Sequence, residues 1–487
     1  MAMGKRKPKQ QALWVSADEI AKPASHPFYV KVNDALSDNS FDRKVEHLCQ
    51  RFYKPVMGRP SMAPGVYFRM LLIGYCEGID SERGIAWRVA DSLSLRQFLG
   101  FGVTEQTPDH SSVSRTRRLY SLEAHKAVFR WFVRVLGEEG LLDGQTVSID
   151  GTTLEANAAM RSIRRRDDGR KYEEYLKGLA VAEGIENPTR EQVARLDRKR
   201  KKKASNKDWM SPSDKDARIA KMKDGRTHLA HKAEHAVDLS SGAIVAVTLQ
   251  AADQGDTTTV HETLKEAQAN ARLVNERGVE ELVADKGYHS GATLVALHGE
   301  SVRSYIPEPE RGRRQWQGRE TEQQRVYANR RRVRGRRGKQ LQKLRSELTE
   351  RSFAHMYETG GMRRTHLRGR DNILKRLLIH AVGFNLALMI RTKHGIGKPR
   401  TLQGVQDRLL AAWVILRALY AAWMTGGGEV EPRAAQNAGG RGRPVANPRM
   451  VLLPRAASAV PQTASVRKVN RVLIRIVSPM LGNCTRI

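Results

Sequence analysis

Two short runs of strand-forming residues, each closing on an aspartate, constrain the fold more than any other feature of the chain. Gln145-Thr-Val-Ser-Ile-Asp150 runs into Gly151, and Glu281-Leu-Val-Ala-Asp285 leads into Lys286-Gly287-Tyr288. Each is apolar or β-branched up to the acid and meets a glycine within two residues, so each carboxylate can emerge at a strand end. Between them, residues 231–239 alternate, Ser240-Ser241-Gly242 turns, and residues 243–249 return as the second arm of a hairpin. Residues 257–275 read as a helix and Ser304-Tyr-Ile-Pro307 as a further short strand, with helix resuming at about 339 and again over about 372–391. The order is strand with Asp, hairpin, helix, strand with Asp, strand, helix with Glu. It predicts an α/β fold with a mixed sheet flanked by helices and carboxylates at strand ends, where open α/β sheets place their sites.

The flanking regions read differently. Residues 1–25 lack apolar periodicity and are expected to be disordered, whereas 26–142 form an all-α domain. There, residues 45–52 carry apolar positions at helical spacing, and 62–75 form an apolar helix interrupted by Pro64. Ser81 caps a third helix, Thr107-Pro108 opens another, and 124–136 is amphipathic. Arg115, Arg117 and Arg118 on one of these helices suit a DNA-binding module, an ordinary bundle being the alternative. The α/β domain spans 143–395, with a polar insertion at about 160–226 that contains the run Arg198-Lys-Arg-Lys-Lys-Lys203. One helix follows within 396–425, and the Gly-, Ala-, Pro- and Arg-rich stretch 426–487 is expected to be a disordered tail.

Charge narrows the partner. The chain has 85 Lys and Arg against 52 Asp and Glu, a net +33 that repels itself unless a polyanion neutralises it. Nucleic acid does so with release of counterions. Residues 311–345 hold 14 Lys/Arg and two Glu, with Trp316 and Tyr327 interspersed, which favours a DNA groove over a merely solvated face and marks Arg330, Arg331 and Arg332. Cys49, Cys76 and Cys484 make no CxxC pair and no disulfide framework. The start Met-Ala-Met-Gly-Lys-Arg-Lys lacks a signal-peptide core, and residues 409–424 are too short to span a bilayer and contain Arg417, so a cytoplasmic, nucleoid-associated protein with no membrane role is expected. GxxxxGK[ST], HExxH and Cys/His zinc spacings are missing, which excludes the simplest ATP and zinc readings. His228, His231 and His235 read as polar residues of the sheet.

Carboxylates at neighbouring strand ends suit hard divalent cations, such as the ion pair that flanks a scissile phosphodiester. A turn aspartate or helix cap is the alternative for either acid. A third ligand has to come from a helix. Glu350 in Leu348-Thr-Glu-Arg-Ser-Phe-Ala-His355 can face inward while Phe353 anchors the helix, but Glu347 and Glu358 lie at comparable spacing and periodicity does not separate them.

Residues 28–118, with Arg59-Pro60-Ser61, Leu71-Leu72-Ile73, Thr107-Pro108-Asp109 and Ser114-Arg115, resemble the InsH-type N-terminal domain of bacterial insertion-sequence DDE transposases. Val147-Ser-Ile-Asp-Gly-Thr152 and Ala284-Asp-Lys-Gly-Tyr288 resemble the first- and second-Asp motifs of the same group. Glu350-Arg-Ser-Phe-Ala-His355, Gly360-Gly361-Met362-Arg363-Arg364, Leu367-Arg368-Gly369 and Asn385-Leu386 resemble its third-carboxylate segment. The resemblance covers about residues 25–395. It implies an RNase H-like catalytic domain preceded by the helical DNA-binding domain, with Asp150, Asp285 and Glu350 holding two Mg²⁺ ions that Mn²⁺ can replace. It further implies cleavage of the terminal inverted repeats of a mobile element and transfer of the freed 3′-OH to target DNA, by a homodimer in the synaptic complex, with Arg363 and Arg364 among the DNA contacts. Some relatives carry Tyr-x2-Arg-x3-Glu-x6-Lys. Tyr327 and Arg330 match its start, but Arg334 stands where Glu is expected and Tyr357 where Glu350 needs a Lys, so those roles, and a DNA-hairpin step, are not carried over. An RNase H-like endonuclease without strand transfer, and a non-catalytic DNA-binding remnant of a decayed element, are the alternatives.

Overall fold

The computed structural model describes residues 26–54, 61–200, 204–222, 225–310, 312 and 314–395. The basic N-terminal segment, Arg59 and Pro60, residues 201–203 of the basic run, the helix expected after 396, the tail and Cys484 lie outside the described residues.

The N-terminal part is helical: α1 (Pro27–Asp38), α2 (Phe41–Cys49), α3 (Pro64–Glu77), α4 (Glu82–Asp91), α5 (Leu93–Leu99), α6 (His110–Leu119) and α7 (Leu122–Glu138). Helix starts follow the capping chemistry, with three departures from the sequence reading. Pro64 begins α3 instead of interrupting it, because the first helical position needs no N–H. Asp109, not Thr107, caps α6. Its carboxylate accepts from Ser112 N at 2.7 Å and from the Ser111 hydroxyl at 3.0 Å, bonds that hold it down to about 2. Ser92 caps α5, a helix the sequence reading did not assign, by accepting from Leu95 N. Tyr67, Phe68, Tyr120 and His125 form the aromatic centre of this part, with the Tyr67 hydroxyl 3.0 Å from His125 Nε2.

The sheet begins with β1 (Thr146–Glu155). The chain then leaves it for β2 (Arg164–Arg165), α8 (Tyr172–Ala182), α9 (Arg190–Lys199) and β3 (Trp209–Met210), around a small core of Ile163, Trp209 and Leu229, and rejoins it at β4 (Arg218–Lys221). The chain returns as β5 (Thr227–Asp238), turns into β6 (Ile244–Ala251), and continues through α10 (Asp256–Ala271), β7 (Glu281–Ala284), α11 (Gly291–Gly299) and β8 (Arg303–Tyr305). Then come α12 (Glu320–Arg334), α13 (Arg336–Phe353), a single wide π turn at Ala354–Glu358, and α14 (Arg370–His394). Helix thus resumes well before residue 339. The Arg-rich stretch is two helices joined at Gly335.

β1 lies at the centre of the sheet. It pairs antiparallel with β5, from Val147↔Asp238 to Glu155↔Ala230, and parallel with β7, from Thr146↔Glu281 to Ile149↔Ala284. β8 extends the parallel side, and β6 and β4 share the far edge of β5. Since side chains alternate along a strand, Asp150 and His235 share one face, under α13, while Gly151 and Glu234 share the other, under α10. α14 packs against α3, α7 and β6, and Asn385 bonds both backbone groups of Ile244. It is long and apolar enough to cross a membrane, yet 89% of its most apolar window is buried in the protein, as expected of a core helix.

Candidate active site

Asp150 lies within β1, not at its end. The strand continues five residues beyond it against β5, whereas the parallel pairing with β7 stops at Ile149↔Ala284. The next residue on each of these two strands is the predicted aspartate. Asp150 and Asp285 therefore stand side by side, about 4.8 Å apart along the hydrogen-bonding direction. β7 ends because Asp285 caps a short turn, Lys286–Tyr288, with Oδ1 accepting from Gly287 N at 2.8 Å.

The Asp150 carboxylate accepts from Gly151 N (2.8 Å) and from Arg345 Nη1 of α13 (2.9 Å). Burial pushes it up to about 6; the Gly151 amide and Arg345 oppose the rise, and repulsion from Asp285 and Asp256 adds to it. Asp256, the first residue of α10, is thus a third carboxylate close to the pair, and the sequence reading missed it. Arg345 was missed too, hidden among the 14 basic residues of its segment.

α13 crosses the same face. Thr349 bonds the Ser148 hydroxyl at 2.6 Å, and Ser352 lies 3.0 Å from His235 Nδ1. Glu350 follows Thr349 by one residue, about 100° round the helix, which puts it on the shoulder of α13; it is exposed. Glu347 pairs with Arg351 at 2.7 Å. Arg351 lines a cavity with Ser241 and Gly242, at the end of the sheet away from Asp150. Glu358 is engaged by Arg363, which also reaches the Thr152 hydroxyl (3.3 Å). The structure brings Asp150 and Asp285 together and puts the helix of Glu350 over them. Among the described residues no three Asp, Glu, His or Cys side chains converge as a metal cage.

The expected DNA-contacting arginines divide into three kinds. Arg115 and Arg118 on α6, Arg331 on α12 and Arg364 are exposed. Arg117 and Arg332 correct the expectation, because their guanidinium groups face inward. Arg117 is only 9% exposed and pairs with Glu82 at 2.7 Å. Arg332 bonds the carbonyl and hydroxyl oxygens of Ser304, both at 3.0 Å. Arg330 and Arg363 are part-exposed and paired, with Glu308 and Glu358 respectively. His231 is buried against Asp214 (3.0 Å), and His235 lies between Ser352 and Tyr357, where burial drives it down to about 3.

The sequence matches known families along most of the described chain. Residues 16–119 match a transposase domain, DUF772, and residues 139–386, just over half of the 487, match the transposase DDE domain. No curated protein matches. The DDE domain implies an RNase H-like fold, and the mixed sheet, antiparallel through β4, β6, β5 and β1 and continued in parallel by β7 and β8, agrees with it. A transposase domain over the helical segment, followed by a transposase DDE domain over just over half of the chain, is what the two matches give together, and the chain belongs to the DDE transposases of insertion sequences.

Proposed function

We propose that the protein cleaves the terminal inverted repeats of its own element and joins the freed 3′-OH to target DNA. In this reading Asp150, Asp285 and Glu350 are the catalytic acids. The observation that carries it is the placing of Asp150 and Asp285 on adjacent parallel strands beneath the helix of Glu350. DDE transposases use divalent metal ions, and the residues present fit such ions. The donors are hard carboxylate oxygens, and the raised Asp150 carboxyl, crowded by Asp285 and Asp256, is one that a cation would relieve. Asp150 and Asp285 would hold the ions, Mg²⁺ with Mn²⁺ as a substitute, and Glu350 would complete the set by rotation of an exposed side chain. When bound, the ions supply activation of the attacking oxygen and stabilisation of the leaving one.

The chain's own groups do the rest. Arg345 balances the Asp150 charge from α13, and the turn at Gly287 orients Asp285. The helical region 26–142 binds the ends, with Arg115 and Arg118 on the exposed side of α6. Residues 143–395 carry the chemistry, the excursion at about 160–226 being an insertion, and two protomers serve the two ends of one element. The test is incubation of the full chain with DNA carrying its terminal repeat and a target plasmid, in Mg²⁺ or in EDTA. We expect nicked 3′ ends and joined products in Mg²⁺ and neither in EDTA. Nicking without joining would favour a nuclease, and nicking in EDTA would sink the metal reading.

A further inference from the structure

The face of β1 and β5 opposite α13 carries a buried ionic network that the proposed chemistry does not use. Lys232 and Glu234 alternate along β5 towards α10; the Lys232 side chain is 8% exposed and that of Glu234 fully buried. Lys232 Nζ donates to Asp256 Oδ1 (2.6 Å) and to the Thr259 hydroxyl (2.7 Å), and lies 3.1 Å from Glu234 Oε1. Glu234 accepts in turn from the hydroxyls of Thr259, Thr263 (2.6 Å) and Tyr288 (3.0 Å).

Tyr288 closes the turn that Asp285 opens, so its hydroxyl ties that turn to β5. Gly287, between them, is pressed against Asp256: a Cβ there would lie 2.5 Å from Asp256 Oδ2. Gly151, which follows Asp150, allows the same closeness from the other side. A Cβ on it would meet Lys232 Cε at 3.2 Å, and Glu234 Cγ and the Tyr288 hydroxyl at 3.3 Å. The network thus touches the neighbour of one proposed acid and the turn of the other.

We propose that Lys232, Glu234, Asp256 and Tyr288 are positioning residues that set the Asp285 turn relative to Asp150. The proposal rests on the reading of these two aspartates as metal ligands. Buried ion pairs are seldom more stable than an apolar set of the same volume, so stability alone gives this one no advantage. Directional bonds to a turn do, and groups behind metal ligands commonly set affinity by about 10–100-fold.

The experiment uses the full-length, metal-free protein with Mn²⁺ alone as probe, and measures its binding together with amide exchange across residues 285–289. Tyr288→Phe removes one hydroxyl and keeps the ring. It should weaken Mn²⁺ binding by about 10-fold or more and speed exchange in the turn before any metal is added, with a near-wild-type melting temperature. Glu234→Gln should do the same. Tyr357→Phe is the control: it removes a buried hydroxyl bonded to His235 on the other face, and should leave the turn unchanged. Wild-type exchange and Mn²⁺ affinity in Tyr288→Phe would overturn the proposal, as would equal loosening of the turn by Tyr357→Phe. Asp285→Asn separates the two readings. If it binds Mn²⁺ as well as wild type, the metal assignment fails, while the exchange data still decide whether the network fixes the turn.

Discussion

The two faces of the β1–β5 pair hold their helices by different means. Under α13 the bonds run between neutral groups: Ser148 to Thr349, and His235 to Ser352 and Tyr357. Asp150 with Arg345 is a charged contact there, and Arg337 of α13 adds another to Glu281 of β7. Under α10 a buried lysine joins two carboxylates and the Thr259 hydroxyl, and Thr263 donates to one of those carboxylates, Glu234. The difference follows the acids. Asp285 sits on a turn tied to the ionic face, whereas Glu350 rides an exposed helix shoulder above the neutral one. On the proposed assignment, two acids are set in place by the sheet and the third is left free to approach.

The largest effects should come from the acids themselves. Asp150→Asn and Asp285→Asn each keep shape and remove a charge. If the ions contribute several kcal/mol, end cleavage should fall on the order of 10³-fold or more. Binding of end DNA should persist, since it depends on contacts with phosphates. Glu350→Gln should behave alike, and Glu347→Gln should cut normally because its carboxylate is directed to Arg351. A dead Glu347→Gln beside an active Glu350→Gln, in a gel assay of nicked ends, would reverse the assignment of the third acid. Wild-type cutting by Asp285→Asn would break the comparison at its root.

Stability should separate the faces next. Lys232→Met strands Glu234 without its cation and should cost about 3–5 kcal/mol in urea unfolding. Ser148→Ala, on the neutral face, should cost about 1 kcal/mol. Replacing Lys232 and Glu234 together by methionine should recover much of the first loss, because both buried charges then leave. A double variant less stable than Lys232→Met alone would show that the ionic face is worth more than its geometry. Arg117→Ala belongs to the same class: it leaves Glu82, whose side chain is 13% exposed, unpaired, and should destabilise by about 3 kcal/mol.

The sheet was legible because its signals are local. Apolar runs, a Ser-Ser-Gly turn and glycines after the acids set out β1, β5, β6 and β7 in order. The place of Asp150 and Asp285 on neighbouring strands was legible for the same reason, although the full length of β1 was not. Its last five residues, 151–155, pair with β5 beyond the end of β7, and Glu155 pairs also with Arg364, so their partners are all distant in sequence. Asp256 and Arg345 were not legible, since each acquires its meaning from a neighbour distant in sequence. Lys232 and Glu234 did leave a signal. Charged residues at alternate positions of a strand face the same way, and in a strand covered on both faces that way is inward. Arg115, Arg117 and Arg118 look alike in sequence, and only Glu82 on α4 distinguishes the middle one.

That last distinction gives the smallest predicted effect. α6 buries Val113, Thr116 and Arg117, so Arg115 and Arg118 leave the helix on its exposed side. Among the described residues each bonds a group within its own helix, Arg115 the Ser112 hydroxyl and Arg118 the Ser114 carbonyl. Nothing in the fold depends on their charge, which is therefore available to phosphate. Arg115→Ala and Arg118→Ala should each melt as wild type. If each neutralises one phosphate, each should lower the slope of log affinity against log salt by about 0.9. The loss should be similar on end DNA and on random DNA, since a phosphate contact carries no sequence. A loss confined to end DNA would instead put that arginine on a base edge and make α6 the helix that reads the repeat. An unchanged slope in both variants would move end binding away from α6, to the exposed arginines of α12 and the 363–370 segment.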